Sequence, residues 1–278
     1  MPCGVVNAYS ISEQHRTRGA TEVPTTTQKQ DISTAYSHGE WETRVNLAAL
    51  YRIVAKYGMS DLANGAIGAR VAGEPNCYLT HPYGLFWDEI KATDLVKIDR
   101  NGQPVAPDAP WLNDGAVNLC KWIFGHRQDL NYFVHGHDEE VMAVGSIEDG
   151  LLPLNQPAVY LGHILDYIEY TFEEDDEYAA HFVEKLADKQ ILITRNHGYY
   201  VMGDTPAAAF FCAYFLRQTC SAQIKTMSMG RDLHMIDPQR VARYQDEMAV
   251  SPDYNYNGQT EWPALLRMLE RTQPEYRT

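Results

Sequence analysis

The stretch NYFVHGHDEE, residues 131–140, combines an apolar run, two histidines separated by one residue, and three acids. A β-strand sends alternate side chains to opposite faces, so residues i and i+2 share one face. If residues 131–137 form a strand, His135 and His137 point the same way and Gly136 leaves space between them. The pattern therefore predicts a strand that ends in two neighbouring imidazoles, as at a metal site or at a solvent-facing strand end.

The segments around this strand predict intermixed helices and strands. Apolar periodicity and capping residues predict helices at residues 40–58, 114–126, 176–188, 205–229 and 261–277. Short apolar runs predict further strands at residues 66–71, 77–82, 94–99, 158–162, 190–195 and 199–203. Residues 1–38 are polar and without periodicity, which predicts a mobile tail, and residues 39–278 are expected to form a single α/β domain.

Charge and composition exclude several classes of partner. The 278 residues carry a formal net charge of −14, which repels phosphate backbones and anionic lipid, so neither nucleic acid nor a membrane is expected as a partner. No apolar run approaches the roughly 20 residues that a membrane span requires. The five cysteines are scattered and form no CxxC pair, which favours a cytoplasmic location.

A third histidine lies in ILITRNHGYYVMG, residues 191–203, where a buried strand ends and a glycine-bearing turn begins. Strand ends are common places for functional groups, because a rigid element directs the side chain into a crevice. Together with the pair on the first strand, His197 completes a set of three imidazoles. Three neutral imidazoles are a normal ligand set for zinc or another first-row metal.

Four blocks of the chain, in this order, resemble the class II aldolase and adducin family. They are THPYGLFWDEIKATDLVKIDRNGQPV (80–105), RQDLNYFVHGH (127–137), GLLPLNQPAVYLG (150–162) and TRNHGYYVMGDTPAAAF (194–210). The resemblance implies an α/β/α sandwich around a mainly antiparallel central sheet, and a homotetramer with active sites between subunits. In the enzymes of this family the HxH pair and the NHG histidine bind a divalent metal, which carries over to His135, His137 and His197.

The sequence departs from the sugar-phosphate aldolases of that family at the positions that handle phosphate and protons. Their acid/base glutamate falls on Ala116, and a histidine further along the same helix falls on Cys120. In those enzymes a loop with polar side chains binds phosphate, and Gly65 and Gly68 lie where those polar residues are expected. The resemblance thus implies a retained metal, a lost base and an unphosphorylated substrate.

Apolar and aromatic residues replace these polar groups, which favours an aromatic or prenylated carbonyl substrate. Substrate-binding residues are predicted at Tyr83, Trp111, Asn113, Ala116 and Cys120. The chain is similar here to the aminocoumarin-pathway oxygenases, which use non-heme Fe(II) and O₂. They decarboxylate a prenylated 4-hydroxyphenylpyruvate oxidatively, through a mandelate, to a benzoate. This reading implies Fe(II) as cofactor, with an aromatic small molecule and O₂ as partners; no catalytic side chain is assigned.

Two alternatives remain open at this point. One is a zinc- or manganese-dependent aldolase or decarboxylase with an unphosphorylated carbonyl substrate and a relocated base, Asp114 or Glu139. The other is an adducin-like interaction domain without activity, because GLLPLNQ and HPYGLFWDEI are closer to the adducin head than to the sugar aldolases. No nucleotide cofactor is expected in any of these readings.

Overall fold

The computed structural model describes residues 35–250 and 257–278. Its strands are β1 (Ala66–Val71), β2 (Glu74–Thr80), β3 (Val96–Asp99), β4 (Tyr132–Gly136), β5 (Leu165–Ile168), β6 (Ile191–Thr194) and β7 (Gly198–Gly203). The α-helices in these two ranges are α1 (His38–Lys56), α2 (Asp114–Leu119), α3 (Glu139–Gly145), α4 (Gln156–Gly162), α5 (Asp176–Leu186), α6 (Pro206–Ser228), α7 (Pro238–Val250) and α8 (Trp262–Thr272). A π-helical turn (Cys120–Phe124) continues α2, and a 3₁₀ turn (Pro274–Arg277) follows α8. Within the described ranges, no helix has the length and apolarity to cross a bilayer.

The seven strands form one sheet in the order β3-β2-β1-β4-β7-β6-β5. All neighbouring pairs are antiparallel except β5 and β6, which run parallel. Strand β4, which carries His135 and ends one residue before His137, is therefore the central strand and is hydrogen-bonded on both sides. This arrangement confirms the predicted α/β fold around a mainly antiparallel sheet.

Successive side chains of β4 point to opposite faces of the sheet, and each face has its own hydrophobic core. Val134 lies in one core with Leu50 of α1 and Phe210 of α6. Phe133 lies in the other core, with Phe182 of α5 and Leu119 of α2. Helices thus cover both faces, as in an α/β/α sandwich. Residue 135 shares the face of residue 133, so the first histidine points towards the side of α2 and α5.

The predicted strand at residues 158–162 is wrong, because this segment lies in helix α4. The side chain of Asn155 accepts a hydrogen bond from the backbone N–H of Ala158 at 3.0 Å, and Pro157 lies in the first turn. Capping and a proline in the first turn favour a helix start, and here they outweigh the strand preference of Val159 and Tyr160. Helices α3 and α7 and strand β5 were not predicted.

The predicted tail, residues 1–38, lies outside the described residues as far as residue 34. Its last residues belong to the start of α1, whose first residue is His38. There the hydroxyl of Ser37 accepts a hydrogen bond from the backbone N–H of Glu40 at 3.2 Å, which is N-cap geometry. Helix α1 therefore begins one residue before the predicted domain boundary at residue 39.

Candidate metal centre

Three histidines converge at one edge of the central sheet. His135 lies on β4 opposite Tyr200 of β7, and His137 follows directly after the strand. His197 lies in the turn between β6 and β7, which Asn196 makes possible by adopting a positive φ of 60°. The ring centroids of His135 and His137 lie 4.7 Å apart, and that of His197 lies 4.8 Å from His137 and 5.5 Å from His135. One ring nitrogen from each residue lies within 4.8 Å of the others.

Two glycines allow the strands that carry these histidines to approach closely. A Cβ on Gly198 would lie 2.5 Å from the backbone oxygen of Gly136 and 2.8 Å from Cδ2 of His137. A Cβ on Gly136 would lie 2.6 Å from the hydroxyl oxygen of Tyr199. Real Cβ atoms do not approach so closely, so the packing of β7 against the end of β4 requires glycine at both positions.

The outward-facing nitrogens of two imidazoles are fixed by hydrogen bonds, and this leaves their other nitrogens available to a metal. Nδ1 of His135 lies 2.9 Å from the backbone oxygen of Tyr199, and Nδ1 of His137 lies 3.2 Å from Oδ2 of Asp61. Both partners accept only, so each Nδ1 carries the proton and each Nε2 offers a lone pair. Nε2 of His137 is buried and has no hydrogen-bond partner. An unpaired buried nitrogen is costly, and a bound cation would remove that cost.

Burial also keeps these side chains in the protonation state of a metal ligand. It lowers the pKa of His135 to about 3, with the charge of His137 as a smaller cause. The same two causes, burial first, lower the pKa of His197 to about 4. Both imidazoles are therefore neutral at neutral pH, which is the form that binds a metal.

Tyrosine rings hold two of the histidines in place. Tyr200 stacks on His135 with ring centroids 4.5 Å apart. Tyr170 stacks on His197 at 4.6 Å with the rings within 6° of parallel. Stacking of this kind restricts the rotation of an imidazole without occupying its nitrogens. The three donors are thus held near one another before any ligand binds.

The histidines open into a cavity of about 270 Å³. It is lined by Asp61, Asn64, Gly65, Ala66, Asn113, Gly115, Ala116, Leu119, His135, His137, Glu174, His197 and Tyr200. The carboxylates in this wall belong to Asp61 and Glu174, and neither lysine nor arginine is among these lining residues. The wall therefore suits a metal ion and a neutral ligand better than a phosphate dianion.

The structure brings some of the predicted substrate-binding residues to this cavity and places others elsewhere. Asn113 and Ala116 line it, at the start of α2. Cys120 lies one turn deeper and is fully buried, with its sulfur 3.1 Å from a Cβ built on Gly68. Tyr83 and Trp111 pack edge to face at 4.9 Å on the surface, where 65% of Trp111 is exposed. The latter three residues do not join the cavity wall.

Gly65 and Gly68, at the positions where the sugar-phosphate aldolases have a phosphate-binding loop, have no room for a side chain. A Cβ on Gly65 would lie 2.7 Å from the backbone oxygen of His135, and one on Gly68 would lie 2.4 Å from Cε1 of Phe133. Gly65 also has a positive φ of 77°. Polar side chains at these two positions would therefore require the neighbouring strand and the core to move.

Two acidic residues that line the cavity, Asp61 and Glu174, are not predicted as site residues by any pattern in the sequence. Asp61 lies in the loop before β1, and Glu174 lies in the loop between β5 and α5. Of the two acids considered as a relocated base, Glu139 lines a neighbouring cavity that shares Asp61 and His137 with this one. Asp114 lies in the first turn of α2. The acid run at 173–177 is typical of a solvated helix start, so nothing distinguished Glu174 from its neighbours.

Comparisons with known proteins find relatives that cover most of this chain. The family model for the class II aldolase and adducin N-terminal domain matches residues 45–224. The "Putative aldolase class 2 protein" of Caulobacter vibrioides is 34% identical over 257 residues, which cover 91% of this chain and 97% of that protein. Alpha-adducin of Rattus norvegicus is 32% identical over 86% of this chain, which corresponds to 34% of its own length. A crystal structure of an aldolase II superfamily protein from Pseudomonas syringae superposes with a TM-score of 0.82 at 30% identity, covering 90% of this chain and all of that one.

Proposed function

The chain belongs to the class II aldolase and adducin family, and we propose that it is an enzyme in which His135, His137 and His197 hold one divalent metal ion. The observation that carries this proposal is the buried, unpaired Nε2 of His137 beside two further imidazoles. A metal bound there supplies Lewis acidity towards the oxygen of a small carbonyl compound. Loss of the ion from variants of each histidine tests the assignment.

The residues around the imidazoles have defined parts in this proposal. The backbone oxygen of Tyr199 and the carboxylate of Asp61 keep the Nδ1 protons of His135 and His137 outward, so that both Nε2 atoms face the cavity. Tyr200 covers one face of His135 and limits the access of water from that side. Asn113 and Asn64 are the amide side chains of the wall. Oδ1 of Asn113 accepts a hydrogen bond from the backbone N–H of Gly115 and Nδ2 of Asn64 donates one to Asp61, which leaves Nδ2 of Asn113 and Oδ1 of Asn64 for substrate hydroxyls.

The substrate proposed for this cavity is unphosphorylated. Both carboxylates of the wall repel a phosphate dianion, and Gly65 and Gly68 leave no room for hydroxyl or amide side chains that would bind one. Titration of the metal-loaded protein with fuculose or ribulose phosphate should show no saturable binding at micromolar concentrations. A dissociation constant in the low micromolar range would contradict the proposal.

For the reaction, a metal-dependent carbon–carbon lyase with zinc or manganese is favoured over the oxygenase. The absence of an acid/base glutamate at position 116 is one of the features that favour an oxygenase, but the wall of the cavity contains the carboxylate of Glu174 in addition to that of Asp61. The second candidate is a non-heme Fe(II) oxygenase with an aryl 2-oxo acid as substrate, and it is supported by the aromatic ring of Tyr200 in the cavity wall, against which an aryl group can pack.

The two candidates differ in their need for O₂. Iron-loaded protein is incubated with a 3-prenylated 4-hydroxyphenylpyruvate in air and under strict anaerobiosis, and CO₂ release is measured. The lyase proposal expects no O₂-dependent CO₂ release. Release that requires O₂ would instead establish the oxygenase.

Assembly and location complete the proposal. A homotetramer with sites between subunits is proposed from the family, and light scattering of the purified protein tests it. The kinship with alpha-adducin favours a third candidate, an interaction domain without activity, and that candidate expects no stoichiometric metal. A cytoplasmic location stays a prediction from the cysteine usage.

A further inference from the structure

Glu174 is held at the cavity by a side chain of α2. Nδ2 of Asn118 donates a hydrogen bond to Oε2 of Glu174 at 3.2 Å. Asn118 is itself oriented by Lys121, whose Nζ donates to its Oδ1 at 3.4 Å. The glutamate comes from the loop between β5 and α5, 56 residues away from its partner in sequence. One carboxylate oxygen, Oε1, has no part in this hydrogen bond and remains available to a ligand.

The carboxylate lies beside the first turn of α2, where the resemblance to the sugar-phosphate aldolases implies their glutamate. A Cβ built on Gly115 would lie 3.6 Å from Oε1 and 3.8 Å from Oε2 of Glu174. The next residue, Ala116, lines the same cavity and has only a methyl group to offer. Because Gly115 and Ala116 have small or no side chains, the first turn of α2 leaves space for the carboxylate of Glu174, which belongs to another segment.

The loop that carries Glu174 also contacts the metal centre. Tyr170, at its start, stacks on His197 with ring centroids 4.6 Å apart. Phe172 packs edge to face on Tyr170 at 4.9 Å and is otherwise 91% exposed. The loop is thus anchored at one end on a ligand histidine and at the other on Asn118. These two contacts place the exposed carboxylate of Glu174 in the wall of the cavity that the three imidazoles also line.

We propose that Glu174 is the acid/base residue of this site, and that the site acts on small unphosphorylated hydroxycarbonyl compounds. The inference rests on the proposed metal-dependent function and adds the proton-transfer group and the substrate class. A carboxylate beside a metal site provides what the cleavage of a β-hydroxy carbonyl compound requires, namely a base for the hydroxyl. The carboxylate at this place would replace a glutamate that the chain lacks at position 116.

The reaction balances without any oxidant. Glu174 takes the proton of the substrate hydroxyl, and the electron pair of that O–H bond becomes the π bond of the first carbonyl product. The adjacent carbon–carbon bond breaks, and its electron pair passes to the second fragment, which becomes an enolate. Glu174 then returns the proton to the carbon of that enolate, which gives the second carbonyl product. No atom or electron is gained or lost overall.

The test uses a pair of chelating probes that differ by one hydroxyl group. Glycolohydroxamate and acetohydroxamate both bind metals through the hydroxamate, but only the former also carries a hydroxyl that can donate to a nearby carboxylate. Their dissociation constants are measured at one pH by the visible spectrum of the full-length protein loaded with Co(II). The variants are E174A and, as a matched control, E173A, which removes the same charge from the neighbouring exposed position of the loop.

Wild-type protein and E173A should bind glycolohydroxamate about tenfold more tightly than acetohydroxamate, since a hydrogen bond to a charged acceptor has about this effect. E174A should bind both probes equally and retain its affinity for Co(II). A preference that survives in E174A, or that is missing from the wild type, would overturn the role of Glu174 while leaving the metal site intact. Failure of the wild-type protein to bind Co(II) would instead overturn the proposed function itself.

Discussion

A buried histidine away from the metal centre gives the protein a predictable loss of stability in acid. His81 is 1% exposed, and its Nδ1 lies 2.8 Å from the hydroxyl of Tyr51. That hydroxyl donates its own proton to the backbone oxygen of Ile67, so the proton in the contact belongs to Nδ1 of His81. Nε2 of His81 is then the acceptor nitrogen, and it is buried without a partner. Protonation would place a charged N–H where no acceptor is available.

The magnitude follows from the pKa of this group. Burial lowers the pKa of His81 to about 4, compared with about 6.5 for a histidine in an unfolded chain. As the pH falls below 6.5, the unfolded chain takes up the proton first, and the free energy of unfolding decreases until the pH reaches the folded pKa. At about 1.4 kcal/mol per pH unit, the 1.5 units between 6.5 and 5 amount to a loss of about 2 kcal/mol.

The substitution H81Q removes this titration while it keeps a polar side chain of similar size. Urea unfolding at pH 7.5 and at pH 5, at one protein concentration, should show that the wild type loses about 2 kcal/mol more than H81Q. H181Q, at an exposed position on α5, is the control and should behave as the wild type. An equal loss in the wild type and in H81Q would refute the reasoning, because it would mean that His81 titrates alike in both states.

Two further substitutions probe the surroundings of the metal centre. D61N should weaken zinc binding about 10–100-fold, because the Asp61 carboxylate accepts a hydrogen bond from Nδ1 of His137. The affinity is measured in competition with a chromophoric chelator, and an unchanged zinc affinity would show that this hydrogen bond does not affect metal binding by His137. G136A should lower the free energy of unfolding by about 1–3 kcal/mol, because its Cβ would lie 2.6 Å from the Tyr199 oxygen. G125A, whose Cβ would have nothing within 4 Å, serves as its control and should leave stability nearly unchanged; equal effects of the two substitutions would contradict the steric explanation.

Local sequence patterns predict the parts of this molecule that depend on local geometry. The pairing of His135 with His137 follows from the two-residue period of a strand, and the period holds wherever the strand lies. The same reasoning fails at residues 158–162, where strand-favouring side chains occur in a helix. There the cap from Asn155 decides, and it is visible in the sequence only when the residues before the segment are considered together with it.

Contacts between residues that are distant in the chain could not be predicted from the sequence. Glu174 lies at the cavity because the loop between β5 and α5 contacts His197 and Asn118. The periodicity of the sequence does not predict the course of this loop. An ungapped count back from His135 locates the missing glutamate at Ala116, but it does not show that a carboxylate from another loop lies nearby. Asp61 is similar, since it lies 76 residues from His137 in the chain. The sequence alone therefore indicates a site without a base, although the carboxylate of Glu174 lies in the wall of the cavity.

The proposed activity requires one divalent ion bound by three histidines. Metal content per chain is measured by mass spectrometry for the wild type and for H135A, H137A and H197A after equilibration with zinc, with H181A as an exposed-histidine control. We predict about one ion per chain in the wild type and in H181A, and a sharp loss in each of the other three, all of which should remain folded. Full metal content in H197A would contradict the account.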